Sequence, residues 1–210
     1  MNNLENYKSV HIIGAGGFAV EISHLLSSKY ADLSIFLYAD SFEEYNNVRP
    51  LDSLLNSIEP TYCVIAIGDN AGRSSIVDRL AANTMLKFLN IDFRDHSAYP
   101  DSEQNVIGIG NIIMPNATIG VSTSIGSFNI IGSGTGFGHH VNIGDFNFIG
   151  PNSFLAGSVH LGSFCTISFG TGFLQKVHIG SAINSLPYTV FYKSNSKSGT
   201  YAGNPANKIM

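Results

Sequence analysis

From Ile107 onward a large apolar residue returns at every sixth position: Ile107, Ile113, Ile119, Ile125, Ile131, Phe137, Ile143, Ile149, Leu155, Leu161, Ile167, Phe173 and Ile179, thirteen without a break. Glycine follows immediately at nine of the thirteen steps. The position four after the apolar residue is mostly small or β-branched, as in Ala117, Thr123, Thr135, Val141, Ser153, Val159, Thr171 and Val177. Such a period is the mark of a β-helix, in which no short strand can bury its side chain alone and stacked coils create the core. Three hexads make one triangular coil, so the array spans a little over four coils, about 20 Å at roughly 4.8 Å per layer.

The first 92 residues follow a different rule. "SVHIIG" (9–14), "SIFLY" (34–38) and "TYCVIAIG" (61–68) look like buried strands, while 18–29 and 70–82 carry apolar residues at helical spacing. That alternation predicts a small parallel sheet with covering helices. The expected fold is therefore a small α/β Rossmann-like N-terminal domain, residues 1–95, followed by a left-handed parallel β-helix with its C-terminal tail, residues 96–210.

Composition narrows the partners. A formal charge of −4, a pI near 5.9 and no two adjacent basic residues leave no electrostatic footprint for nucleic acid or an anionic membrane. No window reaches the roughly 18 apolar residues of a transmembrane helix. The stretch "MNNLENYKSV" lacks the basic-then-apolar layout of a secretory signal, so no membrane insertion and a cytoplasmic location are expected. Cys63 and Cys165, far apart and without a CxxC pair, read as buried free thiols. Phe128, Phe146, Phe148, Phe154, Phe164 and Phe169 lie outside the inward register and are expected to project from the prism. An apolar exterior on a short solenoid favours self-association, and a homotrimer through the β-helix faces is expected.

The motifs "HIIGAGGFAVEI", "AIGDNAGR", the hexapeptide array with "HHVNIGDF" and the ending "YAGNPANKI" together resemble the PglD/NeuD family of sugar acetyltransferases. The hexad array alone would fit several activities on a β-helix; the glycine motif joined to it and to the GNPA tail narrows the resemblance. It implies transfer of acetyl from acetyl-CoA, the co-substrate, to a nucleotide-linked amino-deoxy sugar, often a 4-amino-4,6-dideoxy sugar, for surface polysaccharide or O-antigen synthesis. The same scaffold would also suit O-acetylation of a sialic-acid-like sugar.

The histidines of "GFGHHVNIGDF" fall at outward positions near a coil corner, so register excludes them from the core. The resemblance assigns His139 as general base, with His140 beside it where relatives carry an acidic residue, and the Gly157 N–H as oxyanion donor. Asp145 and Phe146 follow as the acidic and aromatic residues of the same motif. An imidazole suits this task because it can take a proton from an attacking amine at neutral pH.

"GAGGFA" sits where a phosphate-cradling loop belongs, after a strand and before a helix, with Gly14, Gly16, Gly17 and Phe18 as candidates. Asp40 falls where a dinucleotide fold would place a ribose-binding acid, but the half is too short for that full fold. The resemblance gives Asp40, Gly68, Asp69, Asn70 and Arg73 to a nucleotide-sugar. Asp69 also fits a helix N-cap, and Arg73 a solvated helix charge. The resemblance places Gly203, Pro205, Ala206 and Lys208 at the coenzyme end. Ser168 and Gly170 interrupt a bulky strand pattern where a pantetheine arm could enter.

His160 and His178, one coil apart, are expected to stack. The spacings among the four histidines do not match a metal-dependent hydratase on this type of helix, so no metal is expected. A non-catalytic β-helix is the remaining alternative, and it predicts no coenzyme A binding.

Overall fold

The computed structural model describes residues 4–40, 47–96 and 102–210. The chain divides into two compact units, Met1–Ile91 and Asp92–Met210. The first three residues of the N-terminal stretch, read above as lacking a secretory signal, lie outside the described residues.

The first unit is a five-stranded parallel sheet. Its elements are β1 (Ser9–Ile13), α1 (Gly17–Lys29), β2 (Ser34–Ala39), β3 (Val48–Pro50), α2 (Asp52–Leu55), β4 (Thr61–Ile65), α3 (Asn70–Leu80) and β5 (Leu86–Phe88). The strand order is β3-β2-β1-β4-β5. The three strands and two helices expected from periodicity are present; β3, α2 and β5 are additions. They were hidden because β3 and β5 are three residues each and α2 is four, too short for any period to show. Val10, Ile12, Ile22, Leu26, Val64 and Ile65 form the buried centre. Because the chain runs outward from β1 to β3 and then returns to β4, the order reverses between β1 and β4. In open α/β sheets the crevice at such a reversal, beyond the carboxyl ends of the strands, is where ligands bind.

The second unit is the β-helix. Two-residue strands recur every sixth residue and stack in parallel with an eighteen-residue register, as in Ile107, Ile125, Ile143, Leu161 and Ile179. The second face stacks Ile113, Ile131, Ile149, Ile167 and Ser185, and the third Ile119, Phe137, Leu155, Phe173 and Phe191. The array thus runs two hexads beyond Ile179. The first of these was masked in the sequence by Ser185, whose hydroxyl pairs with Thr171 instead of packing as a hydrocarbon.

Corners turn by a fixed device. At every sixth residue from Gly110 to Tyr188, φ lies between 54° and 70°. Only Gly110, Gly134 and Gly170 among these corners are glycine; the others include Asn, Ser, His, Lys and Phe. A left-handed φ is costly for most side chains, so the corners persist because the ladders on both sides determine them.

Inside one corner a buried amide ladder climbs the prism. The Asn129 backbone N–H and side-chain Nδ2 both donate to Asn111 Oδ1, at 2.8 and 3.1 Å. Asn147 repeats this on Asn129 Oδ1, and the Cys165 N–H ends the run on Asn147 Oδ1 at 2.8 Å. Outside the same corner Phe128, Phe146 and Phe164 stack at 5.2 Å steps. Phe164, Phe154 and Phe169 do project to the surface, but Phe128 does not: it is 6% exposed and its ring covers Gly110, which has no side chain to displace it.

Candidate active site

His139 and His140 occupy the end of a coil. His140 is the corner residue, at φ 58°, and its N–H donates to Val121 O at 2.9 Å. The turn before it places His139 outward, and both rings are exposed. Their Nδ1 atoms meet at 2.9 Å, with ring planes 85° apart. The opposite edge of the His139 imidazole lies over Gly157 in the next coil: a Cβ built there would be 2.6 Å from Nε2 and 2.7 Å from Cε1. Gly157 is thus required by close approach, and its N–H has no hydrogen-bond acceptor among the described residues. The corner therefore brings together an imidazole with one nitrogen held and its other edge over Gly157, a residue whose backbone N–H has no acceptor among the described residues.

Asp145, part of the same motif, is not at the imidazole. Its Oδ1 accepts the Ser127 N–H at 2.7 Å and its own N–H donates to Ser163 Oγ, a serine-type rung of the corner ladder. His160 and His178 stack at 4.2 Å as expected. They line a shallow depression of about 440 Å³ with Ser124, Asn142 and Ser196. Among the described residues, no three His, Cys, Asp or Glu side chains converge as a metal would need.

In the first unit, Gly14 and Gly68 bracket the reversal between β1 and β4. Gly14 has φ 132°, and a Cβ there would sit 2.6 Å from Ala66 O, so only glycine lets the β1 loop pass the end of β4. Gly16 caps α1 without a side-chain bond, and the space over Gly16, Gly17 and Gly68 is open. A helix N-terminus with bare glycine backbone suits an anion. Phe18 is half-buried behind the loop.

The GDNAGR side chains hold the loop itself. Asp69 caps α3 by accepting the Gly72 N–H at 2.6 Å. Arg73 is 1% exposed, which overturns its reading as a solvated charge. Its guanidinium donates to Ile67 O at 2.7 Å, Gly68 O at 3.2 Å and the buried Asn70 Oδ1 at 2.8 Å. Burial pulls its pKa down to about 10, against the favourable charge of Asp69. Arg73 and Asn70 therefore shape the loop from beneath. Asp40 is exposed and held by Arg79 Nη1 at 2.8 Å; Arg79 also bonds Asp52.

At the end of the second unit, Gly199–Ala202 pairs antiparallel with Asn207–Lys208. Gly203 O accepts the Val190 N–H and the Ala206 N–H returns to Val190 O, so the GNPA turn is laced to the last coil. Pro205 and Lys208 are exposed. Ser168 is held by Ser185 and Thr171. The opening expected at Gly170 is filled: a Cβ there would lie 2.6 Å from the Tyr188 ring.

These two units define a Rossmann-like domain joined to a hexapeptide-repeat β-helix, as the sequence led us to expect. Residues 9–80 match the PglD N-terminal domain family, which bears out the resemblance stated from the motifs. No curated protein matches the chain closely by sequence. Among solved structures, the acetyltransferase domain of PglB from Neisseria gonorrhoeae has a TM-score of 0.84 at 23% identity, over 97% of this chain and 100% of that one. PerB from Caulobacter crescentus, in complex with CoA and GDP-perosamine, has 0.82 at 23% over 96% and 97%. WeeI from Acinetobacter baumannii has 0.79 at 20% over 95% and 99%.

Proposed function

We propose that the protein is an acetyl-CoA-dependent N-acetyltransferase acting on the amino group of a nucleotide-linked amino-deoxy sugar. The observation that carries this reading is the His139 imidazole, one nitrogen anchored on His140 and the other edge laid over Gly157. The sugar nitrogen attacks the thioester carbonyl while His139 Nε2 takes its proton. The Gly157 N–H stabilises the oxyanion that forms. The tetrahedral intermediate then collapses, the C–S bond breaks, and coenzyme A leaves as thiolate, with no covalent enzyme intermediate.

The nucleotide diphosphate belongs over Gly14, Gly16 and Gly17, with Gly68, Asp69 and Asn70 on the far side of the sheet reversal and Asp40 toward the ribose. Arg73 serves this site from below by fixing the loop. The coenzyme runs toward Ser168, Gly203, Pro205, Ala206 and Lys208, whose ammonium would meet phosphate; Gly170 acts through the Tyr188 ring it accommodates. A solved relative of the same fold holding CoA and GDP-perosamine supports the substrate class. Such a product feeds surface-polysaccharide or O-antigen assembly, and acetyl-CoA places the reaction in the cytoplasm. The exposed apolar side chains Phe154, Leu174 and Tyr192 on the third face support assembly as a homotrimer.

The test is thiol release from acetyl-CoA over a panel of UDP-, dTDP- and GDP-linked 4-amino-6-deoxy sugars and free sialic acid. One amino sugar is expected to turn over, with His139→Ala lowering kcat about 100- to 10,000-fold. Turnover of the free sugar acid alone would move the assignment to O-acetylation, and absence of both coenzyme A and nucleotide-sugar binding would end it.

A further inference from the structure

The Nδ1–Nδ1 contact of 2.9 Å between His139 and His140 admits one proton, and where that proton sits decides what His139 can do. If His139 carries it, His140 is the acceptor and the far nitrogen of His139 keeps its lone pair. If His140 carries it, the hydrogen of neutral His139 is forced onto Nε2, and the base is lost. Catalysis by His139 requires the first arrangement, because only it leaves Nε2, on the ring edge laid over Gly157, free to take a proton.

Resting on the assignment of His139 as base, we infer that His140 is a positioning residue that must be neutral: it accepts the Nδ1–H of His139, fixes the base tautomer, and switches the base off when it takes a proton. The role is one a carboxylate performs in other hydrogen-bonded catalytic sets, but here the orienting group is itself an imidazole, able to donate as well as to accept. The stacked coils leave the pair to itself. Val121 and Ser122 come from one side and Gly157 and Ser158 from the other, with Asn142 Nδ2 donating to His140 O at 3.4 Å, and none of these is charged. Protonation of either ring therefore removes the Nε2 lone pair.

Three full-length proteins test this: wild type, His140→Asp and His140→Ala. Aspartate can only accept from Nδ1–H and tolerates a left-handed φ. Alanine already occupies an equivalent corner at Ala182, φ 54°, so His140→Ala is expected to fold. The first readout is the ¹⁵N NMR signature of the His139 ring, assigned with His139→Ala. It should show hydrogen on Nδ1 and a bare Nε2 at pH 8 in wild type and His140→Asp. The second is kinetic: His140→Asp keeps kcat within about threefold, whereas His140→Ala lowers kcat at least about tenfold with KM for acetyl-CoA unchanged. A wild-type His139 with its hydrogen on Nε2 at pH 8, or equal kcat in wild type and His140→Ala, overturns the inference. The expected NMR signature with no sugar turned over by any variant would uphold the pair and remove the acetyltransferase reading instead.

Discussion

Gly157 joins the base to the neighbouring coil. Its missing side chain is the space in which the His139 imidazole rests, since a Cβ would meet Nε2 at 2.6 Å. Gly157→Ala must therefore push the ring off its backbone seat. The coil strands on either side are held by ladder bonds such as Ala156 N–H to Phe173 O and Ser158 N–H to His139 O, so the fold has no reason to follow. We expect thermal stability close to wild type and a kcat reduced about 100-fold, the effect of an angstrom-scale misplacement of a catalytic group. Unchanged kcat in Gly157→Ala would show that the ring does not act from this seat. In the sequence only the resemblance singled out Gly157, as a backbone donor; that its missing side chain seats the ring follows from its eighteen-residue offset from His139, one coil on.

At the scale of elements, the prism is held by ladders as much as by its apolar core. Asn129 is fully buried, and its Oδ1 accepts both the N–H and the side-chain amide of Asn147. Asn129→Ala removes the Oδ1 that accepts these two bonds and leaves Asn111 Oδ1 with one bond fewer. Unsatisfied buried polar groups cost roughly 1–3 kcal/mol each, so the urea midpoint of this variant should fall well below that of an exposed strand Asn→Ala such as Asn184→Ala. Equal midpoints would mean that water replaces the rung. This ladder was not read from the sequence, although Asn111, Asn129 and Asn147 stand one coil apart. The six-residue period draws the eye to hydrocarbon, and an asparagine beside it looks like a surface residue. The strands, the inward register and the outward histidines were legible because periodicity reports burial. What sequence could not show was competition for the same group. Arg73 has the chemistry of a phosphate ligand, yet the carbonyls of Ile67 and Gly68 take its donors. Gly170 looks like an opening, yet a ring one coil away fills it.

Across the whole molecule each unit carries one buried thiol, Cys63 in the sheet and Cys165 at the foot of the amide ladder, both free as the spacing implied. Burial raises Cys63 to about 12 and Cys165 to about 11 from an ordinary value of 9.0. The sign follows from which state ionises. Below pH 9 both thiols are protonated whether the chain is folded or not, and they add no pH dependence. Above it the unfolded chain loses these protons while the folded chain retains them, so unfolding gains. Stability should fall by up to about 1.4 kcal/mol per pH unit for each thiol, until about pH 11 for Cys165 and about pH 12 for Cys63. Urea unfolding at pH 8, 9.5 and 10.5 measures this, with Cys63→Ala and Cys165→Ala separating the thiols from the tyrosines and lysines that titrate in the same range. Each variant should show a shallower loss than wild type, and the native protein should resist a thiol reagent at pH 8 until denaturant is added. Parallel losses in all three proteins, or prompt labelling of both thiols in the native state, would show that solvent reaches the interior of the sheet and of the prism alike.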